Sequence, residues 1–128
     1  MATIYEAKGY HFTPPAEMAW ARRVLIKPYA STGLPYPVST SRELLESVIT
    51  GIRRVTDAEI LIADGTPTAE PIYPAYQSLH YDFNRVLFLD VKDSIFLEME
   101  NPLQEFYASA TFWVPNLVLR SDFLISVA

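Results

Sequence analysis

Cysteine is absent from this chain of 128 residues. Disulfides, thiolate zinc sites, iron–sulfur ligation and cysteine nucleophiles are therefore excluded within it. Histidine is nearly as scarce: the only two, His11 and His80, give little basis for a histidine-based metal site. We predict no bound metal and leave the cofactor unknown. We expect a cytoplasmic location, with which the lack of cysteine is compatible.

Basic residues are also fewer than acidic residues. Ten Lys and Arg residues face fifteen Asp and Glu residues, so the net charge is −5, and the basic residues form no stripe. A surface that follows nucleic-acid phosphates is therefore not expected. No apolar run approaches the roughly 20 residues of a membrane span, and the N-terminus lacks the basic and hydrophobic regions of a secretory signal. The sequence predicts neither a nucleic-acid nor a membrane partner.

The segment from 23 to 66 is the most informative part of what is present. An apolar strand at 24–27 is followed by a proline-rich loop, an amphipathic helix at 41–54 and a second apolar strand at 59–63. Thr40 and the residue three positions later, Glu43, have capping-box spacing. This is a βαβ unit, so we predict one α/β domain over 1–128, with three layers and a mostly parallel sheet. It is Rossmann-like in style but has no G-x-G-x-x-G fingerprint.

Shorter segments complete the prediction. The third strand, 86–89, is apolar throughout, and we expect the fourth to form a hairpin or meander with it. The remaining predicted elements are an edge strand at 3–7, a short helix at 74–80, a fourth strand at 95–99, an edge segment at 108–114, a helical turn at 116–120 and a last strand at 122–127.

Polar side chains follow the strands of the βαβ unit. In open α/β sheets ligands bind at the carboxyl ends of the strands, and those ends carry Lys27 and Asp64, with Asp90 a weaker third. The loop after Lys27 leads into the helix N-terminus, where free amides and the helix dipole favour an anion. The residues predicted to hold a small anionic ligand, phosphate or carboxylate, are Lys27, Ser39, Thr40, Ser41, Asp64 and Thr66.

Each of these residues also has a purely structural interpretation. Ser39-Thr40-Ser41 before a helix is ordinary capping, and Asp64-Gly65 is a common turn pair. In the same interpretation, the Lys27 side chain leaves its strand for solvent. The sequence leaves both interpretations open.

The order of these segments resembles a known family. The quoted stretches are Val24-Leu25-Ile26-Lys27-Pro28, Pro37-Val38-Ser39-Thr40-Ser41, Glu59-Ile60-Leu61-Ile62-Ala63-Asp64-Gly65 and Ser121-Asp122-Phe123-Leu124-Ile125-Ser126-Val127. They are similar to the N-terminal part of domain of unknown function family three hundred and sixty-two. Its members typically read V-L-I-K-P-N-L, T-T-x-P, a strand ending in G-D, and A-D-V-L-I-N-V-P-K-L-K-T-H. The resemblance covers residues 23–128.

The chain departs from the family pattern at four points. Tyr29 stands where the family has Asn, the Pro after the helix-start motif is missing, and the Gly-Asp pair is reversed as Asp64-Gly65. The K-L-K-T-H run that would follow Ala128 is absent. The resemblance therefore implies either a truncated chain, the N-terminal part of a longer family domain, or a shortened non-catalytic relative. The iron–sulfur association of some members does not carry over without cysteine.

Three function hypotheses follow. The first is an α/β domain that binds a small anion at the strand ends. The second is part of a metal- or cofactor-dependent enzyme whose catalytic residues lie beyond Ala128, so that whether this chain is an enzyme stays open. The third is a non-catalytic module that joins a partner or a second copy through an exposed edge strand, giving a homo-oligomer.

Overall fold

The computed structural model describes residues 11–103, 105 and 109–128. The helices are α1 (Arg42–Arg53), α2 (Tyr73–Ser78) and α3 (Asn116–Leu119), and short 3₁₀ helices cover Ala16–Trp20 and Val91–Asp93. The strands are β1 (Arg23–Pro28), β2 (Glu59–Asp64), β3 (Val86–Asp90), β4 (Phe96–Glu100), β5 (Thr111–Pro115) and β6 (Phe123–Val127). The edge strand predicted at 3–7 lies outside the described residues.

Four of the strands form one parallel sheet in the order β3-β2-β1-β6. The prediction of a mostly parallel α/β sheet is confirmed. The chain runs from β1 to β2 and β3 on one side and places β6 on the other side of β1. The sheet order therefore changes direction between β1 and β6, and this is the position where α/β sheets commonly form a crevice.

Helix α1 begins because Ser41 caps it. The Ser41 hydroxyl accepts a hydrogen bond from the Leu44 amide at 3.2 Å, and Glu43 in the first turn and Arg53 in the last complement the helix dipole. The capping box predicted from Thr40 is therefore wrong. The N-cap is the next residue, Ser41, and the third residue after it is Leu44, whose side chain cannot complete a box. Thr40 is drawn instead into contacts with β1 and β6, which are described below.

The two faces of the sheet are covered very unequally, although three layers are present. One face carries α1, α2 and the main core, in which the largest fully buried side chains include Met18, Ile26, Leu45, Ile52, Ile60, Ile62 and Ile72. On the other face, the part of the chain that the structure describes contributes the single turn of α3, which packs Leu117 against a second cluster of Leu25, Leu61 and Ala63. Leu87 and Leu124 are more than half exposed, because α3 is too short to cover them.

Strands β4 and β5 form a separate antiparallel hairpin, with Glu98 opposite Trp113 and Met99 opposite Phe112. The expectation that the fourth strand would pair with the third is therefore wrong, since β3 is a parallel strand at the edge of the main sheet. The Val91–Asp93 turn separates β3 from β4. In the described part of the chain, no helix is long and apolar enough to cross a membrane.

Candidate functional site

Two buried aspartates lie side by side at the carboxyl ends of β2 and β3. Asp64 and Asp90 are register partners, and both are less than a tenth exposed. Oδ2 of Asp64 accepts from the Ala30 amide at 2.8 Å, and Oδ2 of Asp90 accepts from the Ile72 amide at 3.0 Å. Each carboxylate therefore fixes a loop that leads toward a helix, because buried charges are retained only where hydrogen bonds satisfy them.

Lys27 lies beside the first of these carboxylates. Its Nζ is 3.3 Å from Asp64 Oδ1 and donates to the Pro28 carbonyl oxygen, also at 3.3 Å. An ammonium has three donors, and these are its two acceptors among the described residues. The Lys27 side chain is 55% exposed whereas that of Asp64 is 8% exposed. One N–H of the lysine is therefore available to an acceptor arriving from solvent.

A cavity of about 180 Å³ adjoins this ion pair on the thinly covered face of the sheet. Lys27 and Asp64 are its only charged lining residues among those described; the other seven are Leu25, Ala63, Val91, Pro115, Leu117, Val118 and Leu124. The parallel strands supply its floor, and α3 with the end of β5 supplies one wall. The arrangement is an apolar cavity with a single cation beside it.

Thr40 joins β1 to β6 at the point where the sheet order reverses. Its Oγ1 accepts from the Tyr29 amide at 2.9 Å and donates to the Val127 carbonyl at 2.8 Å. Its own carbonyl accepts a hydrogen bond from the Tyr81 hydroxyl. The single O–H donor of Thr40 is thus used inside the protein, and the hydroxyl has no free donor for the anion predicted to bind there.

The other two residues of the predicted anion motif have separate roles. Ser41 caps α1, as described above. Ser39 is 2% exposed, and its hydroxyl has no hydrogen-bond partner among the described residues. A cavity of about 260 Å³ beside the start of α1 is lined by Thr40 and Ser41 but not by Lys27 or Ser39. Neither this cavity nor the one beside Lys27 is lined by both Lys27 and the Ser39-Thr40-Ser41 segment.

The basic group closest to the start of α1 is also occupied. The Arg42 guanidinium donates from Nε to the His80 carbonyl at 3.0 Å, from Nη2 to the Asp82 carbonyl at 3.1 Å and from Nη1 to Glu46 at 3.0 Å. The lining of that cavity also includes Glu43, whose negative charge opposes an anion. This second cavity is a poor anion site.

Thr66 lies apart from Lys27 and takes part in a different cluster. Its hydroxyl accepts from Lys92 Nζ at 2.6 Å and lies 2.5 Å from the Glu70 carbonyl oxygen. Lys92 also donates to the carbonyls of Thr68 and Glu70, and it lies 4.0 Å from Asp90 Oδ2. The ammonium organises the 66–70 loop from inside, so this cluster is already complete without a ligand.

The Tyr76 hydroxyl bridges β2 and β3 between the two aspartates. It accepts from the Asp64 amide at 2.8 Å and donates to the Leu89 carbonyl at 2.9 Å. Burial raises the pKa of Tyr76 far above its ordinary value, and the nearby carboxylates of Asp64 and Asp90 add to the shift. Burial likewise raises the pKa of Tyr81 to about 12. Both phenols stay neutral donors at physiological pH.

Sequence reasoning missed most of the cavity wall, as well as Lys92. Lys92 had one available signal, since it follows a strand-end aspartate by two positions. The wall residues had none, because α3 and β5 are about fifty residues away from Asp64 in sequence. Among the described residues, no group of three or more His, Asp or Glu side chains converges as a metal site would require.

Comparison with protein-family models, with curated proteins and with solved structures gives no match. The resemblance to domain of unknown function family three hundred and sixty-two therefore stays a prediction.

Proposed function

We propose that this chain binds a small anionic ligand at the carboxyl ends of β1 and β2, with Lys27 as the residue that contacts the charge. One observation carries the proposal: Lys27, whose side chain is half exposed and whose ammonium has an unused donor, borders an open cavity at the end of the sheet where α/β domains bind ligands. Of the six residues predicted from sequence, Lys27 and Asp64 belong to this site.

The Asp64 carboxylate lowers the affinity of this site for an anion. Its carboxylate is 3.3 Å from the lysine and competes with any incoming anion for the same ammonium. Removing that negative charge while keeping an oxygen for the Ala30 amide should free the lysine. Asp64→Asn should therefore strengthen anion binding, whereas Lys27→Met should weaken it.

Isothermal titration or NMR chemical-shift titration with acetate and with inorganic phosphate tests the proposal. Because a hydrogen bond to a charged group is worth about 1.5–3 kcal/mol, Lys27→Met should weaken binding roughly tenfold to a hundredfold. Arg54→Met removes an exposed positive charge elsewhere and is the matched control. If Lys27→Met and Arg54→Met change the affinity equally, the anion does not bind at Lys27 and the proposal is rejected.

A second function is favoured by the surface of the hairpin, which we propose joins two copies of this chain. Its large apolar side chains and those at its ends are between 37% and 68% exposed, namely Ile95, Phe96, Leu97, Met99, Leu103, Phe112 and Trp113. Successive side chains of a strand point to opposite faces, so Leu97, Met99 and Phe112 lie on one face of the hairpin and Phe96 and Trp113 on the other.

The β5 edge is the better candidate for pairing with the second copy. An isolated two-stranded hairpin is marginally stable in water, and β4 carries Glu98 and Glu100, which discourage edge pairing, whereas β5 carries no charge. Antiparallel pairing of β5 with the same strand of a second copy gives a four-stranded sheet. Sedimentation velocity should show a dimer that Trp113→Lys abolishes and Glu100→Gln leaves intact. A monomer at high concentration rejects this function.

The cytoplasmic location predicted from composition forms part of the proposal and has no structural support of its own. The enzyme hypothesis gains no observation from the described residues. We therefore propose no reaction.

A further inference from the structure

We infer that the ligand of the Lys27 cavity is a monocarboxylate with an apolar group about the size of a benzene ring or a five- to six-carbon chain. This inference depends on the proposed anion site and specifies its ligand class. It follows from the chemistry of the wall, the size of the cavity and the balance of charge.

The wall is apolar, and the charged groups lie at its edge, where Lys27 and Asp64 contribute almost no polar surface to the cavity itself. Seven of the nine lining residues are aliphatic or proline, and the two exceptions, Lys27 and Asp64, belong to the same ion pair at the strand ends. An inorganic anion would use the lysine and leave the apolar wall in contact with water. A ligand with an apolar tail removes that surface from water, and such burial is the main source of affinity in pockets of this kind.

The volume limits the tail. A cavity of about 150 Å³ lined by aliphatic and aromatic side chains accommodates one benzene molecule, and the cavity here measures about 180 Å³. A phenyl group or a short alkyl chain therefore fits. Leu124, which is 53% exposed, lies in the lining and leaves the cavity open to solvent on that side.

The charge balance limits the head group. One ammonium is present, and Asp64 lies 3.3 Å from it, so the pair has no net charge before a ligand arrives. A doubly charged phosphate would bring a second negative charge toward the Asp64 carboxylate, which is unfavourable in a site walled by apolar groups. A singly charged carboxylate accepts the unused N–H at the smallest electrostatic cost.

The test is a titration of the whole chain with hexanoate, benzoate, acetate, phosphate and hexanol. Each methylene taken out of water adds several-fold to affinity, so hexanoate and benzoate should bind roughly tenfold to a hundredfold tighter than acetate or phosphate. Lys27→Met should weaken hexanoate and benzoate binding roughly tenfold to a hundredfold. Leu124→Trp, at a half-exposed position that the fold should tolerate, fills the cavity mouth and should weaken hexanoate binding at least tenfold.

The outcomes separate the two proposals. If acetate or phosphate binds as tightly as hexanoate and depends on Lys27, the tail inference is wrong and the anion site stands. If hexanol binds as tightly as hexanoate, the charge plays no part and both proposals fall. Absence of binding by every probe also rejects both. Tight hexanoate binding that Leu124→Trp does not change places the ligand outside this cavity and overturns the inference.

Discussion

The Tyr76 hydroxyl offers the sharpest test of how the strand ends are held together. It accepts from the Asp64 amide and donates to the Leu89 carbonyl, and the residue is only 3% exposed. Tyr76→Phe removes one oxygen and keeps the ring, which packs against Phe88 with 5.3 Å between ring centroids. The substitution therefore isolates the hydrogen bonds from the packing.

The magnitude follows from what the missing oxygen leaves behind. Two backbone groups lose their partner, and each buried group left unsatisfied costs about 1–3 kcal/mol. We expect Tyr76→Phe to lower the free energy of unfolding by about 2–6 kcal/mol. For a domain of this size that corresponds to roughly 7–22 °C in Tm.

Tyr73→Phe is the matched control. The Tyr73 hydroxyl also accepts from a strand-end amide, that of Asp90 at 3.2 Å, and donates to Asp93 at 3.3 Å, but the residue is 39% exposed. Water can replace its oxygen, so the cost should stay below about 1 kcal/mol. Urea unfolding followed by circular dichroism measures both variants. Equal losses in the two variants would show that burial of the Tyr76 bridge does not matter and would refute the reasoning.

Three further predictions concern the same end of the sheet. Gly65→Ala should lower the free energy of unfolding by about 1–3 kcal/mol, because the new Cβ would lie 2.7 Å from Val91 Cγ1, and adding Val91→Ala should recover part of the loss. Lys92→Met should speed amide hydrogen exchange in the 66–70 loop, since three oxygen acceptors there lose their donor; unchanged exchange would contradict that role. Tyr81→Phe should flatten the loss of stability between pH 10 and 12. The unfolded phenol ionises near pH 10 whereas the folded pKa is about 12, so stability falls as the pH rises through that window, and urea midpoints measured across it should be less pH-dependent in the variant.

The βαβ unit was predictable because its signals are local. The apolar runs of β1 and β2 are short and continuous, as expected for parallel strands buried on both faces. The apolar stripe of α1 has helical spacing and ends at the turn before β2. The same signals failed at β3, where an equally apolar run lies at the sheet edge and leaves Leu87 53% exposed. An apolar run predicts a strand, but it does not indicate whether that strand lies at the centre or at the edge of the sheet.

The site was predictable only in part, for a related reason. Strand ends meet at one edge, so the approach of Lys27 to Asp64 follows from the parallel order alone. The role of Thr40 could not be predicted, because its hydroxyl donates to the Val127 carbonyl in β6, 87 positions away in sequence. The cavity depends on α3, which lies on the face opposite to α1. Contacts of this range leave no periodic trace in the sequence.

Asp64 separates the structural interpretation of the strand ends from the functional one. The hydrogen bonds of Asp64 to the Ala30 amide and to Lys27 account for its burial without any ligand. Asp90 is buried in the same way, with a hydrogen bond from the Ile72 amide and with Lys92 nearby. The two lysines differ, however. Lys92 is enclosed by oxygen acceptors of its own loop, whereas Lys27 is 55% exposed and borders an apolar cavity. Holding the loop at Ala30 in place requires neither an exposed lysine nor an apolar cavity next to the Lys27–Asp64 pair. The asymmetry between these two lysines is therefore the physical reason to look for a ligand at the first and not at the second.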